Sequence, residues 1–196
     1  SGEKLTPNQI KIREFKSIVE RVNFSQFFQP IINLTTKEAL HYEMLTRFES
    51  GDTLEWVNLA DDAGMALDFD MAVCERAVNY ITFKAGGTRT KFAMNIAASS
   101  LIHEKFLEKF DRQLDKHITL SERLILEIRE SSLIEHPEKL VPAVKKLRGR
   151  GVKIALDDFH PSAAAQQYLE SIKADFIRID GRYTRRITAS VREAAL

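Results

Sequence analysis

The chain has 196 residues, of which 44% are hydrophobic and 29% charged, enough for one sizeable core, too short for two comfortable domains and unlike a disordered chain. Its 29 basic and 28 acidic side chains nearly cancel to a net charge of +1, so no global field holds a nucleic acid polymer or an anionic membrane. The single cysteine, Cys74, cannot close an internal disulfide, five scattered histidines give no zinc spacing, and no apolar run approaches the ~18 residues of a membrane span. A cytoplasmic protein is the expectation.

Thr6-Pro7-Asn8-Gln9 reads as a capped helix start, with proline at the first helical position and Gln9 reaching back to the cap. The helix that follows carries Ile12, Phe15, Ile18, Val19 and Val22 on one face and leads, over residues 1–23, into the rest of the chain. Strands are then expected at Phe27 to Leu34, Leu40 to Phe48, Lys91 to Ala97, Arg123 to Arg129, Lys153 to Phe159 and Asp175 to Asp180. Helices are expected at Glu55 to Ala63, Leu67 to Phe83, Ser100 to Lys116, Pro137 to Arg148 and Ser162 to Lys173, with a last one from Thr184. Gly86-Gly87 and Gly149-Arg150-Gly151 fall where helices should end. Strand and helix take turns, which predicts an α/β fold around a mainly parallel sheet: an open doubly wound sheet, or a barrel lacking part of its wall.

The strands carry polar residues where a core face should be apolar. Glu43 shares a face with His41, Leu45 and Arg47; Asn95 shares one with the small Ala93 and Ala97; Glu127 follows Ile125, opposite Leu124, Leu126 and Ile128. Asp157 follows Ala155, with Asp158 either pointing the other way or standing at the strand end, and Arg178 and Asp180 interrupt the last strand. Each stands toward the C-terminal end of its strand, where α/β folds build their sites. Three carboxylates and an amide oxygen form a hard-oxygen set suited to Mg²⁺ or Mn²⁺. Elsewhere the bland readings prevail: Cys74 is a buried, inert thiol, His160 a solvated loop residue, and Trp56 packs its helix against the barrel. The cluster Lys145, Lys146, Arg148, Arg150 and Lys153 reads as a solvated helix face.

These residues resemble a known family, the bacterial EAL domains that bind or hydrolyse cyclic di-GMP. The resemblance rests on Phe28-Gln29-Pro30-Ile31-Ile32-Asn33-Leu34, Tyr42-Glu43-Met44-Leu45-Thr46-Arg47-Phe48, Met94-Asn95-Ile96, Leu126-Glu127-Ile128-Arg129-Glu130-Ser131, Asp157-Asp158-Phe159 and Ile177-Arg178-Ile179-Asp180, in the family's order. The literal Glu38-Ala39-Leu40 is a coincidence of composition; the family's glutamate corresponds to Glu43. The resemblance implies a single EAL-like domain over residues 1–196, a modified (β/α)₈ barrel with one strand antiparallel to the rest. It implies Glu43, Asn95, Glu127 and Asp157 as ligands to Mg²⁺ or Mn²⁺, Asp158 beside a second metal, and Gln29, Leu45 and Arg47 as dinucleotide contacts. Glu130 corresponds to the glutamate that braces the loop after the Asp-Asp pair, and Arg178 stands at the position of the family's catalytic lysine.

The departures set the functional expectation. Arginine holds phosphate but does not readily tune a proton transfer. His160-Pro161-Ser162-Ala163 replaces a glycine-rich mobile loop, and Arg129 replaces a threonine. About six strands are expected in the chain, with the family's last two βα units, an acidic residue and a substrate-contacting glutamine not among its residues. A homodimer partner or a neighbouring domain is expected to cover the open edge. The expected function is a degenerate EAL module that binds cyclic di-GMP or a protein partner, the alternative being an active metal-dependent phosphodiesterase that opens the nucleotide to linear pGpG.

Overall fold

The structure is a computed structural model that describes residues 5–131, 137–160, 163–182 and 185. The first helix, α1 (Pro7–Arg21), begins at the expected cap: the Thr6 side chain accepts from the Gln9 amide and the Gln9 side chain accepts from Thr6. Its Phe15 and Val19 are buried, and α1 runs into β1 (Phe24–Ile32) and β2 (Ala39–Phe48), which pair antiparallel. From β2 onward every pairing is parallel, through β3 (Phe92–Asn95), β4 (Leu124–Arg129), β5 (Lys153–Phe159) and β6 (Phe176–Ile179). The six strands lie in sequence order in one sheet. This is the incomplete barrel wall expected, one strand opposed to the rest.

The connections supply the outer layer. They are α2 (Thr53–Asp62), α3 (Ala66–Asn79), α4 (Ala98–Leu101), α5 (Glu104–Lys116), α6 (Pro137–Gly149) and α7 (Ala163–Ile172). The main core is where the helices meet the outward faces of the strands: Met44, Met94, Leu124, Leu126, Ile128, Ile154 and Leu156 are buried against α3 to α6. Period-two alternation turns the intervening residues inward, where the smaller set Ala93, Ile125 and Ala155 is buried.

Two helices differ from expectation. The segment Leu67 to Phe83 is helical in α form only to Asn79 and continues as a π-helical turn, Tyr80–Lys84. The buried Arg123 guanidinium fixes this turn by donating to the carbonyls of Ile81, Ala85 and Thr90 at 2.9–3.0 Å. The expected helix Ser100 to Lys116 breaks at His103, whose side chain caps α5 by accepting from the Lys105 amide. The expected helix from Thr184 lies outside the described residues save Arg185.

Trp56 is buried in a second cluster, stacked 5.7 Å from Phe15 and tilted against Phe48 at 6.0 Å, so it locks α2 to α1 and to the end of β2. Of the basic residues around α6, Lys145 is exposed, while the other four pair with acids at the surface. Lys146 and Arg150 reach Asp111 on α5, Arg150 also reaches Asp115, and Arg148 and Lys153 reach Asp175 before β6. Cys74 is buried, which pushes its thiol up to about 12. Among the described residues no helix is long and apolar enough to cross a membrane.

Candidate functional site

On five neighbouring strands the same two-residue step leads from an inward floor to a polar layer. The floor is His41, Ala93, Ile125, Ala155 and Phe176, with the His41 and Phe176 rings 5.2 Å apart. Two residues on, toward the C-terminal ends, stand Glu43, Asn95, Glu127, Asp157 and Arg178. Register holds them together: Asn95 lies opposite Glu127, and Glu43 opposite Ala93. The small Ala93 and Ala155 are buried directly beneath the layer. Burial pushes the His41 pKa down, so the floor carries an uncharged imidazole.

The layer is closed by one cation. Arg178 Nη1 lies 3.1 Å from Glu43 Oε2, Nε lies 2.9 Å from Asp157 Oδ1, and Nη2 pairs with Glu127 Oε2. Asn95 Nδ2 donates to the other Glu43 oxygen at 3.0 Å. Burial first, and then the neighbouring Glu43, push the Glu127 carboxyl above its ordinary value against the pull of Arg178. Asp157 is raised as well, again chiefly by burial. Burial opposes the Arg178 charge, but Glu127, Glu43 and Asp157 together hold its pKa above the ordinary value. The donor set has the chemistry for Mg²⁺ or Mn²⁺. As the side chains stand, no group of three acidic or histidine residues among the described residues is arranged to hold a metal ion, and the guanidinium lies where their oxygens converge.

Asp158 neither continues the strand alternation nor simply ends it. It takes a left-handed backbone, φ 52°, and the β5–β6 register shifts between Leu156 and Phe159. Both flanking residues are buried in the helix-side core. The bulge therefore fits one extra residue between them and keeps Asp157 and Asp158 both out of that core. The Asp158 amide donates to Asp157 Oδ1 at 2.8 Å, and its side chain is exposed.

Glu130, just past β4, is buried and accepts from the His160 amide at 3.4 Å, with His160 Nδ1 also 3.4 Å away. His160 Nε2 lies 3.2 Å from Asp180, and Arg182 hydrogen-bonds Asp180 and holds its carboxyl well below the usual range. His160 is thus a link between the ends of β4, β5 and β6, where the sequence suggested a solvated side chain. Pro161 and Ser162 lie outside the described residues.

Above the layer opens a cleft of about 960 Å³, lined by Glu43, Asn95, Glu127 and Asp157 from the sheet and by Arg47 and Arg129 from the strand ends. This volume lies within the usual range for a small-molecule site. Arg47 is exposed, its Nη1 donating to the neighbouring Thr46 carbonyl at 3.0 Å. Gln29 is exposed on β1 in register with Glu43, and Leu45 is half-buried; neither lines the cleft.

The cleft wall also holds two acids that the sequence reading passed over, Asp61 on α2 and Asp70 on α3. Asp70 is buried, accepts from the Ala97 amide at 2.9 Å and is pushed by burial up to about 7. Its signal was legible: Asp70 stands four residues from both Ala66 and Cys74 on the buried face of α3. Arg129 also belongs to the cleft, and its place two residues after Glu127 was the available cue.

The family model for the EAL domain matches residues 12–196, and the chain belongs to the EAL domain family. Among curated relatives, "Cyclic di-GMP phosphodiesterase PdeF" of Escherichia coli K12 is 24% identical over 91% of this chain and 24% of its own length. "Cyclic di-GMP phosphodiesterase PdeA" of Borreliella burgdorferi is 28% identical over 93% of this chain and 28% of its own. The chain thus spans about a quarter of the length of these two relatives. Among solved structures, the Xanthomonas citri FimX EAL domain in complex with c-diGMP superposes with a TM-score of 0.78 at 18% identity, over 88% of this chain and 70% of that one. The Vibrio cholerae LapD S helix-GGDEF-EAL structure bound to c-di-GMP gives 0.81 at 18% identity, over 94% and 46%. These likenesses establish the fold.

Proposed function

We propose that this chain is a cyclic di-GMP-binding EAL module in which hydrolysis is slow. The observation that carries the reading is the cleft itself, an acidic layer at the strand ends rimmed by the cationic Arg47 and Arg129. Arg47 offers a planar fork to one phosphate. Gln29 and Leu45 reach a base or ribose only if the nucleotide extends beyond the cleft toward β1. The names of the relatives, cyclic di-GMP phosphodiesterases, support the nucleotide's identity.

Glu43, Asn95, Glu127 and Asp157, with Asp158 for a second position, are the residues that would hold Mg²⁺ or Mn²⁺. When bound, such a metal pair supplies Lewis acidity and a more acidic water. Arg178 remains charged at every working pH, so it neither accepts nor returns a proton, and that supports slow turnover. Glu130 serves as a positioning residue through His160. The second reading, an active phosphodiesterase producing pGpG, is favoured by the convergence of all four first-position ligands on one layer.

The proposed setting is cytoplasmic. Phe27 on β1 and Ile177 and Ile179 on β6 are exposed apolar residues on the outer strands, which supports cover by a second copy or a neighbouring domain.

Calorimetric titration with cyclic di-GMP tests the binding. A saturable heat in the parent, weakened at least about tenfold in Arg47→Ala, is the expected result. Absence of saturable heat in the parent contradicts the reading, and equal affinity in Arg47→Ala removes Arg47 from the site.

A further inference from the structure

We infer that Arg178 is the resident cation of the acidic layer, competing with a divalent metal for Glu43, Glu127 and Asp157, so that removing its charge creates a tighter metal site. Three carboxylates from three strands, β2, β4 and β5, each direct an oxygen at a different nitrogen of this one side chain, which arrives from β6. The two carboxylates with the least exposed side chains, Glu127 and Glu43 at 4% and 5%, are the ones bound by the terminal nitrogens.

The geometry follows from guanidinium chemistry. Nε, Nη1 and Nη2 point outward in one plane, so a single arginine meets three acceptors at once. An ammonium is a compact point and cannot spread its donors in this way. The carboxylate oxygens stand 2.9–3.1 Å from Nε and Nη1, whereas Mg²⁺ draws its oxygen ligands to about 2.0–2.1 Å. A metal therefore needs the guanidinium to withdraw and the side chains to close inward. Whatever fraction of molecules keeps Arg178 in place is lost to metal binding, and apparent affinity falls by that fraction.

The inference concerns the metal alone and does not need cyclic di-GMP to be the ligand. Its test is calorimetry with Mn²⁺ alone, without nucleotide, on the parent chain, Arg178→Met, and Arg178→Met combined with Glu127→Gln. Expected is Mn²⁺ affinity at least about tenfold tighter in Arg178→Met than in the parent, and lost again in the double variant. Equal affinity in parent and Arg178→Met overturns the inference, as does a gain that survives Glu127→Gln.

Arg178→Met leaves three clustered carboxylates without their partner and could fail to fold, so a second measurement uses the parent. In the ¹⁵N spectrum the Arg178 Nε–H resonance reports the pair with Asp157 directly. The inference requires this resonance to move in step with Mg²⁺ occupancy. Saturation of the layer by Mg²⁺ with the Arg178 resonance unmoved overturns it. A failed nucleotide titration leaves both metal measurements intact, so the two readings fail separately.

Discussion

Glu127 illustrates how burial and like charge act on one carboxylate. Its pKa stands above the ordinary 4.5, so in the window that opens upward from that value the folded state binds more protons than the unfolded one. Stability must then fall as pH rises through that window, since its slope follows the difference in bound protons. Asp70 adds the same sign over the window from 3.8 to about 7. Without added metal, urea midpoints are expected to decline from about pH 4 to pH 7, and Asp70→Asn to flatten that decline by up to about 1.4 kcal/mol per pH unit. A parent midpoint that rises steadily across this range contradicts both assignments. The Asn side chain keeps an oxygen for the Ala97 amide, so the variant isolates the charge.

The connections make their own demands. Arg123 spans the π-helical turn and the start of β3, donating to three carbonyls from a nearly buried position. Arg123→Met removes a charged donor from each of those carbonyls, of which Ala85's still accepts from Thr88, and is expected to cost about 2–4 kcal/mol, measured by urea unfolding. At the end of β2, Gly51 has φ +79° and an added Cβ would meet Trp56 Nε1 at 2.7 Å. The indole cannot easily retreat, because Nε1 donates to the Ser50 carbonyl at 2.8 Å and the ring stacks on Phe15. Gly51→Ala is expected to lower stability by about 1–3 kcal/mol, with a blue-shifted or weakened Trp56 emission change on unfolding. Strand positions were legible because β-branched runs and period-two alternation are local signals, and all six fall within a few residues of expectation. The π-helical turn and the break at His103 were not, because each depends on a distant or non-periodic partner: Arg123 reaches back from just before β4, and a histidine cap interrupts the apolar pattern.

The sheet as a whole converts separate strand positions into one site. Parallel register aligns the C-terminal ends of β2 to β6, and the shared two-residue step from floor to layer does the rest. The candidate ligands could therefore be picked out as inward polar residues before any contact was known. What the one-dimensional pattern could not convey was that Arg178 closes on three of them, that a bulge frees Asp158 from the alternation, or that His160 joins Glu130 to Asp180; these are long-range pairings set by tertiary geometry. The proposed cyclic di-GMP module with slow chemistry is supported by this layer and its charged arginine. Chromatography of cyclic di-GMP after prolonged incubation with the parent chain and excess Mn²⁺ tests it most directly. Recovery of the cyclic nucleotide essentially intact is the expected result; rapid accumulation of linear pGpG contradicts slow hydrolysis.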